Sequence, residues 1–288
     1  MHPWHLAALA AAAGLATGVC AQTGFTNWES PHVSPITLTP SGQTMLAVNT
    51  ADARLEIFSL ATGAPERTLS IGVGLDPVSV RARSETEAWV VNHISDSVSI
   101  VDLVTGRVKQ TLLTGDEPSD VVFANGKAFV SLSQQNRVAV YDLGNLGAAP
   151  VLVTIQGEEP RALAVSADGS RVYVAIFESG NATGVVRVAD VSNTAGPYGG
   201  VNPPPNSGTG FSPPRTAGQQ APPRVSQIVR RNAAGQWMDD NNRNWSQFVT
   251  WNVLDNDVAM IDTATLGVSY AQGLMTTVAG IGVSPDGK

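Results

Sequence analysis

An all-β fold assembled from repeated antiparallel units is what this sequence predicts, and three observations carry the prediction. A motif recurs with its proline at Pro35, Pro77, Pro118 and Pro160, at spacings of 42, 41 and 42 residues. Each recurrence opens a short alternating apolar run, the pattern of a half-buried strand, followed by a polar or glycine-bearing turn and a second apolar run. Turn formers are frequent, with 28 Gly and 18 Pro in 288 residues, as a fold of many short strands requires.

The first segment stands outside that repeat. Leu6 to Val19 is an apolar, alanine-rich run, and Val19-Cys20-Ala21 offers the small residues that a signal peptidase reads, so residues 1–21 read as a secretory signal. Its start, Met1 to His5, carries no Lys or Arg. Thr17 and Val19 argue against Cys20 as a lipid attachment point. The run is also shorter than the roughly 20 residues of a transmembrane helix. Removing it leaves no cysteine and two histidines, His32 and His93, which excludes disulfides, thiol catalysis and cysteine-based metal sites. The haem attachment pattern C-x-x-C-H is absent, and no cofactor is expected in this chain.

The repeated units follow. SPITLTPSGQTMLAV from Ser34, DPVSVRARSETEAWVV from Asp76, EPSDVVFANGKAFVSL from Glu117 and EPRALAVSADGSRVYVAI from Glu159 each read as a β-hairpin. A second half begins at Asn49, Asn92 and Ser133; in the middle copy Val98 to Asp102 makes a third strand, Thr105-Gly106 a turn, and Val108 to Leu113 a fourth strand. Four strands in about 42 residues match one blade of a β-propeller. A helical solenoid of similar period would show a 3.6-residue apolar pattern, and the Val, Ile, Thr and Gly content opposes helices.

WVVNHISDSVSIVDLVTGRVKQTLLTGDEPSDVVF and RALAVSADGSRVYVAI resemble the YVTN-repeat β-propeller proteins of bacteria. The resemblance covers residues 31–160 cleanly, then 161–176, and resumes at Phe248. It implies an extracytoplasmic propeller, often one module of a longer surface or redox protein, with relatives among propeller lactonases.

Strict repetition breaks after Ile176. FVTWNVLDNDVAMIDTATLG matches AWVVNHISDSVSIVDLVTG, aligning Asn252 with Asn92 and Asp262 with Asp102, which places an insertion of roughly residues 178–247 inside the fourth blade. A competing alignment takes VVRVADV, ending at Val191, as that blade's third strand. The insertion carries eight prolines between Pro197 and Pro223, which favour extended loop. Its continuation, with Trp237 and Trp245, has the composition of a lid. VAGIGVSPDGK resembles the start of a further blade, so the expectation is a partial propeller in residues 22–288 belonging to a longer protein.

Candidate binding residues fall on one face, because in a four-stranded blade the loops joining strands two and three share a face with the links between blades. Asp76, Asp116, Glu117, Glu158 and Glu159 precede blade starts, while Asp52, His93 and Asp96 sit between strands two and three. That acidic set suits a cation, a basic partner or a metal; as acids before proline and in turns, the same residues also suit solvated turns, and His93 reads there as an exposed turn histidine. Asp239, Asp240, Asn241, Asn242 and Asn244 make an oxygen-rich cluster like part of a calcium loop, but its glycine and distal glutamate are missing and the cluster reads as a polar loop. Asp102, Asp142 and Asp262 recur at the end of the third strand and read as a repeated turn hydrogen bond.

With 17 Lys plus Arg against 24 Asp plus Glu, the formal charge is −7, which opposes nucleic acid or an anionic membrane as partner. No nucleophile motif surrounds either histidine. The expected function is therefore a non-enzymatic binding or scaffolding module outside the cytoplasm. The alternatives are an accessory propeller of a c-type haem electron-transfer protein, and a lactonase-like hydrolase relying on pocket carboxylates such as Glu117 or Glu159.

Overall fold

The computed structural model describes residues 30–201, 225–274, 276–284 and 286. The expected signal segment, most of the proline-rich stretch and Lys288 lie outside the described residues. The fold is a β-propeller of four-stranded antiparallel blades, incomplete in this chain. Blade one holds β1 (Ile36–Leu38), β2 (Thr44–Asn49), β3 (Arg54–Ser59) and β4 (Glu66–Gly72). Blade two holds β5 (Pro77–Ala82), β6 (Glu87–Asn92), β7 (Ser97–Asp102) and β8 (Arg107–Leu113). Blade three holds β9 (Pro118–Ala124), β10 (Lys127–Leu132), β11 (Arg137–Asp142) and β12 (Val151–Thr154).

The fourth blade pairs β13 (Glu158–Val165) with β14 (Arg171–Glu178), and β14 with β18 (Val258–Asp262), which in turn pairs with β19 (Val268–Ala271). The chain between β14 and β18 makes a separate sheet of β15 (Thr183–Val186), β16 (Gln227–Arg231) and β17 (Trp237–Met238), with a short helix, α1 (Val188–Val191), after β15. VVRVADV therefore runs from the end of β15 into α1 and is not the blade's third strand; register decides this, since Arg171 faces Asp262 and Ala175 faces Val258.

Strands with two apolar faces hold the blades together. In β6, Val90 joins Leu46, Leu55 and Ile57 of blade one, while its neighbours Trp89 and Val91 join Val121, Val130 and Leu132 of blade three. Successive side chains point to opposite faces of a strand, so a middle blade needs an unbroken apolar run, AWVV, to bury both sides. Val122, Phe129 and Val140 pack the other side of blade three on Leu163, Val174 and Ile261 of blade four. Beyond blade four, Val278 and Ile281 pack with Val33 over Ala162 and Ala175.

The inserted segment has a small core of its own. Val186, Val191, Val229, Trp237 and Trp245 are buried together, with Tyr198 and Phe248 against them. It joins blade four at Gly180, whose N–H donates to the Leu254 carbonyl at 2.8 Å. A side chain there would put its Cβ 2.3 Å from the Val253 carbonyl oxygen, so only glycine fits that close approach.

Candidate functional site

The eight acidic-face residues sit where the blade topology puts them, at the end of the propeller formed by the loops after β2, β6 and β10 and by the links between blades. The loops and links are cross-tied in the same way from blade to blade. Each loop ends in a residue with a left-handed backbone, Ala53 (φ 53), Asp96 (φ 47) or Asn136 (φ 51). Its carbonyl accepts the N–H that follows the last strand of its own blade: Val73 to Ala53 at 2.9 Å, Thr114 to Asp96 at 2.8 Å, and Ile155 to Asn136 at 2.8 Å. In two blades the side chain adds a second tie, with Asp96 Oδ1 accepting from the Glu117 N–H and Asn136 Oδ1 from the Glu159 N–H, both at 3.0 Å. Asp96 thus serves the fold, as an acceptor in a conformation that Asp and Asn tolerate.

Asp76, Glu117 and Glu159 are equivalent residues, each before a proline, half-buried and left-handed, with φ of 56°, 52° and 55°. The Asp76 carboxylate accepts from the Ser30 N–H at 3.3 Å, and Glu159 Oε2 lies 3.4 Å from Arg161 Nε. Among the other acids, Asp52 accepts from Asn49 Nδ2 at 3.0 Å and Glu158 from Asn136 Nδ2 at 2.7 Å, while Asp116 is exposed. Among the described residues, no three His, Asp or Glu side chains converge to hold a metal ion.

His93 departs from the exposed turn histidine that the sequence indicates: it is 5% exposed. Its backbone N–H donates to the Asp76 carbonyl at 3.0 Å, and its Nδ1 meets the Pro118 carbonyl at 3.1 Å. A carbonyl only accepts, so Nδ1 carries a proton and Nε2 is the nitrogen facing Glu117 Oε2, 3.6 Å away. Thr50, at the same place in blade one, donates its hydroxyl to the Pro77 carbonyl at 2.8 Å, so both blades use this position to grip the next one. In the neighbouring loop the Ser133 hydroxyl donates to the Glu117 carbonyl at 2.8 Å.

The dominant polar feature was not legible in the sequence. The inner strand of blade three has a register shift, Pro118 facing Leu132 but Val121 facing Val130, and this irregularity turns Asp120 to the propeller axis. There the fully buried Asp120 carboxylate receives Arg81 Nε at 3.1 Å and Arg81 Nη2 at 2.7 Å. Ser34 Oγ, the Leu163 N–H and the Val121 N–H also donate to it, at 3.1, 3.0 and 2.9 Å. Inner strands or flanking residues of all four blades thus meet at one ion pair. Beyond it, toward the opposite end of the axis from the acidic loops, lies a cavity of about 440 Å³.

Within the oxygen-rich cluster of the inserted segment, Asp239 is buried, while Asp240, Asn242 and Asn244 are exposed. Asp239 Oδ1 accepts from the N–H groups of Asn241 and Arg243, and Oδ2 accepts from Tyr198 Oη at 2.6 Å and Trp245 Nε1 at 3.0 Å. The Asp239 oxygens are thus committed to the fold, in keeping with a polar loop. The strand-end aspartates do make the expected turns: Asp102 Oδ1 accepts from Val104 and Thr105, Asp142 Oδ1 from Gly144, and Asp262 Oδ1 from Ala264 and Thr265.

No family model matches the chain, and the comparison with curated proteins gives no match. Among solved structures, Kuenenia stuttgartiensis hydrazine synthase is similar with a TM-score of 0.51 at 18% identity, over 93% of this chain and 75% of that one. The WD40 repeats of RRP9 match at a TM-score of 0.44 and 12% identity, over 53% of this chain and 44% of that one. Apo AztD from Citrobacter koseri matches at a TM-score of 0.37 and 13% identity, over 47% and 39%. The first of these bears on the fold alone.

Proposed function

We propose that this chain is a non-enzymatic binding module that works outside the cytoplasm and presents its acidic loop face to a cationic partner. The observation that carries the reading is the placement of Asp76, Glu117 and Glu159 at one equivalent position in three successive blades, in a chain of net charge −7. Three like charges repeated around one end of an axis make a field that attracts and orients a basic surface. The side chains that an acid–base mechanism would recruit have other work: Nδ1 of His93 holds the Pro118 carbonyl, and Asp96 holds the Glu117 N–H. The extracytoplasmic setting rests on the secretory pattern of residues 1–21.

The test is titration of the full chain with a lysine-rich peptide at low and at physiological salt. Saturable binding that weakens with salt and falls about tenfold or more in the variant Asp76→Asn/Glu117→Gln/Glu159→Gln is the expected result. Equal binding by that variant would overturn the reading. Hydrolysis of a lactone that disappears in Glu117→Gln would replace it with a hydrolase.

A further inference from the structure

We infer that the cavity at the other end of the propeller axis is a binding site for a small monocarboxylate with an apolar body. It is bounded by strands of all four blades and by residues 281–283, and its about 440 Å³ lies within the size range of small-molecule sites. Phe123, Leu163, Val165, Ile281 and Val283 supply the apolar part of a mixed lining, to which Thr37 and Arg81 bring polar groups and Arg81 the charge.

The hydrogen bonds of Arg81 indicate the ligand's head group. Nε and Nη2 are committed to Asp120, Ser34 and the Leu163 carbonyl. Nη1 makes no hydrogen bond among the described residues, and the side chain is 29% exposed while its partner Asp120 is wholly buried. The two N–H bonds of Nη1 therefore remain unused beside the cavity. A guanidinium held on one side by a carboxylate is already oriented, and a carboxylate accepts from its remaining N–H in a charge-assisted hydrogen bond that a neutral hydroxyl does not match. Asp120 opposes the incoming charge only weakly, because five donors already surround it. An amine head would face those N–H donors with nothing to accept them.

This site is on the opposite end of the axis from the acidic loops and stands whether or not those loops bind a cationic partner. The experiment titrates the full chain with hexanoate, hexan-1-ol and hexylamine, which share a tail and differ in head group. Saturable hexanoate binding about tenfold or more tighter than hexan-1-ol, with none for hexylamine, is the expected result. The head-group series reads the guanidinium without mutating it, so the folding of an Arg81 variant does not enter. A second reading comes from Gly282→Phe, because a Cβ at Gly282 meets no atom within 4 Å and its φ suits an L residue. That variant places a bulky side chain among the cavity-lining residues and is expected to lose hexanoate binding at an unchanged melting temperature. Hexan-1-ol binding as well as hexanoate, no saturable binding, or full binding by Gly282→Phe would each overturn the assignment.

Discussion

Arg81 and Asp120, from adjacent blades and 39 residues apart, form a bidentate ion pair on the propeller axis, Nε to Oδ1 at 3.1 Å and Nη2 to Oδ2 at 2.7 Å. A buried carboxylate is tolerable only when fully partnered, and this one is. Asp120→Ala leaves the guanidinium, Ser34 Oγ and the Leu163 N–H without their shared acceptor. The expected loss is about 3 to 5 kcal/mol, the usual cost of removing one partner of a buried pair. Urea unfolding measures it, and a loss under about 1 kcal/mol would show that the pair does not hold the blades together.

The repeat and its four-stranded unit were legible in the sequence because both are local signals: a proline period and strand alternation need no knowledge of what packs on what. Asp120 was not legible for the opposite reason. In SDVVF it occupies a position that alternation makes ordinary, and only the register shift beside Pro118 turns it to the axis. His93 misleads for a related reason, since a turn flanked by Asn92, Ser95 and Asp96 reads as solvated until the next blade covers it. The small sheet around Trp245 has strands of two to five residues, too short to show a period.

Glu87 predicts acid sensitivity. Burial pushes its carboxyl up, but Lys109, Arg83 at 2.8 Å and the Trp89 indole N–H at 2.9 Å together outweigh burial and bring the pKa to about 2, against an ordinary 4.5. A depressed pKa means that the interaction stabilises the folded chain fully above the ordinary value and is lost as pH falls from about 4.5 toward 2. Glu87→Gln should be less stable at neutral pH and should flatten the decline over that window. Melting temperatures recorded from pH 7 downward check this, and parallel curves for the two proteins would rule it out.

The left-handed loop position separates good residues from poor ones. Asp96→Asn puts into blade two the residue that blade three already uses at Asn136, and it should change stability by less than about 0.5 kcal/mol. Asp96→Ala loses the acceptor for the Glu117 N–H and should cost about 1 to 2 kcal/mol. Blade one carries Ala53 at this place, with φ 53 and no side-chain acceptor. Ala53→Asn should therefore stabilise the protein by about 0.5 to 1 kcal/mol. Thermal unfolding of the three variants gives the order directly, and Ala53→Asn falling below the parent would contradict the shared geometry.

The inserted sheet should respond to a single residue. Asp239, 4% exposed, receives both the Tyr198 hydroxyl and the Trp245 indole N–H on one oxygen while holding its own loop with the other. Burial raises the Tyr198 phenol pKa and the Asp239 carboxylate raises it further. Asp239→Ala removes the acceptor and leaves two polar groups beside the apolar cluster, at about 1 to 3 kcal/mol for each that stays buried. The sheet is expected to loosen, with Tyr198 titrating at lower pH and the amides of β16 exchanging faster. The blades have their own cores and should keep their exchange protection, because among the described residues the three strands of the inserted sheet pair with no blade strand. Equal loss of protection in β6 and β10 would mean instead that the insertion and the blades unfold as one unit.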